Sequence, residues 1–221
     1  MTSDDLARAL IADLPAAAAR WLDMAGATVV AVPEAMPELF PAVGRCCGRH
    51  ALRTECSTIR GWTVDDAVRC LLLSMMPLPT SDLLEMLREL YSAGDAAERR
   101  GVLRALPLLD ERPDFGAGAV PIVADAIRAN DPRLISAALS EYAARYLDNA
   151  GYRQAVLKCV FCGIPLTDVA GVRERTDAEL VRALMDYVRE REIAGRDVPA
   201  DVRAFIEHST GRTRARANTA P

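Results

Sequence analysis

Apolar residues recur along most of the chain at intervals of three and four, the period of a helix with one buried face. The period of two that a half-buried strand needs is scarcely seen. The clearest stripe is Val64, Ala67, Val68, Leu71, Leu72 and Met75 within 63–76. Thr63 opens it, and Asp66 three residues on forms a capping box with the shorter acid. Segment 81–93 repeats the pattern with Leu83, Leu84, Leu87 and Leu90, and 95–106 follows after Gly94. Further helices are predicted at 4–24 (capped by Ser3 or Asp4, stopped by Gly26), at 33–47 with proline interruptions, and at 119–129, 132–146, 149–162, 176–194 and 199–208. Pro132 and Pro199 fall just inside helices, where a missing amide proton costs nothing. Thr28 to Val32 is the one β-branched run, and in isolation it reads as an extended link.

Residues 107–118 hold Pro107, Pro113, Gly116 and Gly118 and read as a long loop; 209–221 lack apolar periodicity and read as a disordered tail. The expected fold is all-α, with antiparallel helix hairpins packed as a HEAT-like helical bundle. The expected layout is N-terminal helices over 1–60, a helical domain over 61–208 forming one compact unit with them, and the tail. Arg212, Arg214 and Arg216 in that tail are a solvated run that could touch an anionic partner.

Composition narrows the function more by exclusion than by assignment. A chain of 221 residues, 51% hydrophobic and 26% charged, is long enough to bury a sizeable core and too apolar to stay disordered. Its net charge of -4 offers no field to draw in phosphates, so nucleic acid is not an expected partner. The acidic start, Ser3-Asp4-Asp5, is unlike a secretory signal. The longest strongly apolar stretch, Cys70 to Met76, falls far short of the roughly 20 residues of a membrane span. A cytoplasmic protein is therefore expected.

Reactive side chains are few. Six cysteines in such a chain do not suggest a disulfide scaffold. Cys159 and Cys162 form a C-x-x-C, but the apolar residues around them read as the inside of a core helix rather than an exposed redox turn. Cys46, Cys47, His50 and Cys56 lack the second tight ligand pair of a zinc site. Neither a G-x-S-x-G elbow nor a phosphate-binding glycine loop is present, and no cofactor or metal is predicted. The basic residues are lopsided: of 27 Lys plus Arg, Lys158 is the single lysine. It lies among Val156, Leu157, Cys159, Val160 and Phe161, with Gln154 one turn earlier on the same face. An ammonium there either snorkels to the surface or is partly desolvated. Asp186 and Glu190 share a face of the helix whose core stripe is Val181, Leu184, Met185 and Val188. Asp66 and Arg69 read as a surface pair on the helix after Trp62.

A succession of short motifs then carries a family likeness. Gly61-Trp62-Thr63-Val64-Asp65-Asp66 with Arg69 comes first, then Arg104-Ala105-Leu106-Pro107-Leu108-Leu109 and Arg128-Ala129-Asn130. Tyr146-Leu147-Asp148, Val156-Leu157-Lys158, Asp186-Tyr187 and Ala194-Gly195-Arg196 follow. In order and spacing, over about residues 60–206, they resemble the EboA family of metabolite traffic proteins. The resemblance implies an all-helical protein linked to moving a small metabolite, with other proteins of the Ebo gene cluster as partners. The chain departs from the family pattern at polar positions. Tyr152-Arg153-Gln154 stands where the family has Trp-Asn-Gln. Arg189-Glu190-Arg191-Glu192 replaces His-Glu-Arg-Trp, and Ser140-Glu141-Tyr142-Ala143 replaces Asn-Pro-Tyr-Pro.

Two functions are consistent with this. The first is a small-molecule-binding protein for traffic or biosynthesis of a secondary metabolite. Its cleft would have Arg128, Asn130, Asp148, Gln154 and Lys158 as polar lining and Trp62 and Tyr187 as apolar walls, with Arg69, Asp186 and Glu190 as further candidates. The alternative is a tailoring enzyme, a cyclase or isomerase, moving protons with Lys158, Asp186 or Glu190 in a dry pocket. The catalytic residues are left unassigned.

Overall fold

The computed structural model describes the backbone of residues 2–54, 56 and 59–217, and the side chains of these up to residue 209. Twelve α-helices and no strand are found among the described residues; an isolated bridge joins Ala51 and Thr63. The all-α expectation holds. None of these helices is long and apolar enough to cross a membrane. The chain forms two compact units, one ending at Ala126 and the other starting at Ile127, inside the helix Val120–Arg128.

The first unit is organised around α4 (Val64–Met75), against which α1 (Ser3–Asp13), α2 (Ala16–Ala31), α3 (Met36–Cys46) and α6 (Ala96–Leu109) pack. Residues 64–70 of α4 are all buried, the charged Asp65, Asp66 and Arg69 together with the apolar stripe. The capping box predicted from Thr63 and Asp66 is present. α5 (Thr80–Ala93) packs on α6, whose N-cap is Asp95. α7 (Val120–Arg128) follows.

Four local expectations for this unit are corrected. The helix foreseen at 4–24 is two helices, because Pro15 cannot donate into the ladder and becomes the N-cap of α2. Gly26 does not stop α2. It lies buried within it, where an added Cβ would come within 2.9 Å of the Met75 side chain, so glycine lets α2 approach α4. The β-branched run from Thr28 is helical through Ala31. Val29 is fully buried, and the Thr28 hydroxyl donates to the Met24 carbonyl at 2.8 Å. Packing outweighs a propensity penalty of only a few tenths of a kcal/mol per residue. The foreseen loop at 107–118 is shorter, since α6 continues through Pro107 to Leu109 and a 3-10 turn begins at Gly116.

The second unit contains α8 (Pro132–Ala138), α9 (Glu141–Tyr146), α10 (Asn149–Phe161), α11 (Ala178–Ile193) and α12 (Ala200–Ala217). α10 packs against α8 and α11, and α11 against α12. The single helix expected at 132–146 is broken because the Leu139 carbonyl accepts from the Ala170 amide at 3.1 Å. α12 continues well past residue 208, into the stretch that composition alone read as tail. Arg212, Arg214 and Arg216 lie outside the described side chains.

The irregular segment 162–177 is held in place by two side chains. The Tyr152 hydroxyl donates to the Ala170 carbonyl at 2.5 Å. The Arg175 guanidinium stacks over the Tyr152 ring at 4.2 Å and donates to the carbonyls of Ala144 at 2.9 Å and Leu147 at 2.8 Å. These bonds satisfy the exposed carbonyl end of α9, which would otherwise need water.

Candidate functional site

Trp62 and Arg69, two of the sequence candidates, belong to a buried charge network where α4 meets α6. Asp65, Asp66 and Arg69 are each 0% exposed. Arg69 is therefore not a surface residue, and its partner is Asp65 rather than Asp66: its Nη1 donates to Asp65 Oδ2 at 2.6 Å and its Nε to the Phe40 carbonyl at 3.2 Å. Asp66 accepts from Arg100 Nε at 2.8 Å and from Arg104, while Arg104 lies over the Trp62 ring at 5.0 Å. The Thr63 hydroxyl closes the network against both carboxylates. Gly101 makes room for it, since a Cβ there would meet Arg69 Cδ at 2.6 Å. Within this cluster the buried Arg69 Nη2 is left without a hydrogen-bond partner among the described residues. Every carboxylate here is committed to a guanidinium, so the cluster is a clamp between two helices.

A second set of committed charges ties α1 to the segment after α3. Asp13 accepts from the Arg53 amide at 3.1 Å and its guanidinium at 2.6 Å, with His50 Nε2 at 3.6 Å. Burial alone would raise the Asp13 carboxyl, but the Arg53 amide and guanidinium, aided by His50, bring it below the ordinary value. A hollow of about 490 Å³ adjoins this clasp, and its charged rim is also paired: Arg8 with Asp5 at 2.6 Å, Arg53 with Asp13.

The second unit holds a larger recess of about 640 Å³ with a different character. Segment 166–174 forms one wall and α12 the other. Asp201 Oδ2 joins them by accepting from the Leu166 amide at 2.8 Å. Leu166, Val169, Val172 and Phe205 supply an apolar lining. Arg173, Glu174 and His208 also line it. Among the described residues none of these three side chains has a hydrogen-bond or ion-pair partner, and nothing donates to Asp201 Oδ1. On α12 the positions 201, 204, 205 and 208 follow the spacing of one helix face. The arrangement suits a guest that is mostly apolar and needs a few polar contacts.

The remaining sequence candidates lie elsewhere in the second unit. Lys158 is half-buried on α10 with Gln154 exposed one turn before it, and the Lys158 side chain has no hydrogen-bond or ion-pair partner among the described residues. Asp148 caps α10, accepting from the Gly151 amide at 2.7 Å. Arg128 ends α7 and Asn130 follows it, both exposed. Asp186 and Glu190 are exposed on α11. Tyr187 is buried between them, edge-on to Phe161 at 5.1 Å. None of these eight lines the recess.

The residues that do line it were invisible as a set. Asp201 looks like any acid in a first helical turn, His208 like the end of a helix, and segment 166–174 has no periodicity to place it. The C-x-x-C is core only in its first half: Cys159 is buried and its thiol is pushed up to about 12 by that burial, whereas Cys162 is half-buried just past the end of α10 beside the exposed Phe161. Cys46, Cys47, His50 and Cys56 are not part of any metal-holding group among the described residues.

A family model described as "Metabolite traffic protein EboA" matches residues 3–207. No curated protein and no solved structure matches the chain.

Proposed function

The chain belongs to the EboA family, and from that premise we propose that it is a binding protein that takes up a small metabolite in the recess between segment 166–174 and α12. It would hold this guest during traffic or biosynthesis of a secondary metabolite, in company with other proteins of the Ebo cluster. One observation carries this: a recess of about 640 Å³ with an apolar lining, beside which the Arg173, Glu174 and His208 side chains have no hydrogen-bond or ion-pair partner among the described residues. That volume lies within the roughly 300–1,000 Å³ typical of small-molecule sites. Native mass spectrometry of the protein taken from its own cell extract tests it. One small molecule should travel with the wild-type chain and be lost from Ala204→Trp, which fills the recess from an exposed helix position. A wild-type chain that carries nothing, or an Ala204→Trp variant that carries the same molecule, would overturn the proposal.

A second reading is favoured by Lys158, a half-buried residue whose ammonium has no carboxylate partner among the described residues. A proton-transferring tailoring enzyme would use it, with Gln154 on the same face of α10. Chemical conversion of the captured molecule by the isolated chain, abolished by Lys158→Ala, would establish that role.

A further inference from the structure

We infer that the guest of the recess is a hydrophobic amine, a cation on an apolar body about 10 Å long; this rests on the recess being the binding site. The charge of the lining comes first. Asp201 and Glu174 are two carboxylates against the single guanidinium of Arg173. Counted over these three side chains, the lining carries one surplus negative charge. Neither Glu174 nor Arg173 is paired among the described residues, and they do not neutralise each other. Arg173 and Glu174 are exposed, so water screens this surplus until a guest displaces it; a carboxylate or phosphate would then be repelled and an ammonium attracted.

The order of groups along α12 sets the guest's shape. Asp201, Ala204, Phe205 and His208 line the recess from one helix face. Asp201 stands at the end where segment 166–174 is tied down through Leu166. Its Oδ2 is occupied by that bond, and its Oδ1 is the acceptor left for a ligand. One turn on, Phe205 offers an aromatic surface to an apolar body or to the flank of a cation. His208 closes the row seven residues from Asp201, about 10 Å along the axis at 1.5 Å per residue. The N-terminal dipole of α12 would favour an anion at the Asp201 end, but Asp201 itself already answers it.

The test compares 4-phenylbutylamine, 4-phenylbutanol and 4-phenylbutanoate by isothermal titration against the full chain, with amide chemical-shift changes locating the site. These three share a body and differ only in the head group. The amine should bind at segment 166–174 and α12, roughly tenfold or more tighter than the alcohol, with the carboxylate weaker still. Asp201→Asn keeps an oxygen for the Leu166 amide while removing the charge, and Glu174→Gln does the same at the other wall. Each should weaken the amine several-fold, and Arg173→Gln should not weaken it. Equal or tighter binding of the alcohol or the carboxylate in the recess overturns the amine assignment and leaves the binding site standing. If no probe binds there, the assignment also falls. The Ala204→Trp comparison with extract then decides the recess on its own.

Discussion

The clamp between α4 and α6 and the recess beside α12 are built from the same residue types and use them in opposite ways. In the clamp, Asp65 and Asp66 are wholly buried and held by Arg69, Arg100 and Arg104. In the recess, Asp201 spends one oxygen on the Leu166 amide, while Glu174 and Arg173 have no partner among the described residues. A buried charge must be paired within the chain or it destabilises the fold. A charge at the edge of an open recess remains hydrated until a ligand displaces the water, so the fold tolerates it unpaired. Commitment, rather than the presence of acids and arginines, separates the charges of the clamp from those of the recess.

The largest effect that bears on this contrast is expected in the clamp. Asp65→Ala leaves the Arg69 guanidinium buried without its carboxylate, and should destabilise the first unit by about 3–5 kcal/mol in urea unfolding. A loss below about 1 kcal/mol would mean that water reaches Arg69 and that the clamp is not dry.

The Asp13 clasp gives the next effect and adds a pH dependence. Its carboxyl lies below the ordinary value of 3.8 in the folded chain. Its contribution to stability is therefore complete above that value and is lost as pH falls through the lower, folded-state one. Asp13→Asn should cost about 1–3 kcal/mol at neutral pH, the scale of hydrogen bonds to a charged group. It should also flatten the acid limb of a plot of melting temperature against pH. An unchanged acid limb would show that Asp13 is not held by Arg53 in solution.

The smallest effects on stability belong to the ligand side. Lys158→Ala should shift stability by no more than about 0.5 kcal/mol and leave capture of the metabolite unchanged, because Lys158 does not line the recess. Loss of capture with the fold intact would move the binding site to α10 and dissolve the contrast between clamp and recess.

Much of this fold was legible in advance. The helical period identified nearly every helix, and the box of Thr63 and Asp66 marked the start of α4 correctly. Pro15 broke one expected helix locally; elsewhere a distant neighbour moved the boundary, Met75 against Gly26 and Ala170 against the Leu139 carbonyl. The site was less legible. Lys158 drew attention by its rarity, which reflects how the chain chooses its cations rather than where its cavities lie. Arg69 was visible as a residue, but its burial was not, since its pairing with Asp65 depends on α6 covering both with Gly101.

The residues in order thus determined the helical class, because the spacing of apolar side chains and the capping chemistry act within a turn or two. Family membership was likewise carried by short motifs in succession. Which charges are sealed and which remain available was decided only by tertiary packing. Burial and pairing depend on groups 30 or more positions apart, such as Asp66 with Arg100 or Leu166 with Asp201. No local pattern encodes that distance.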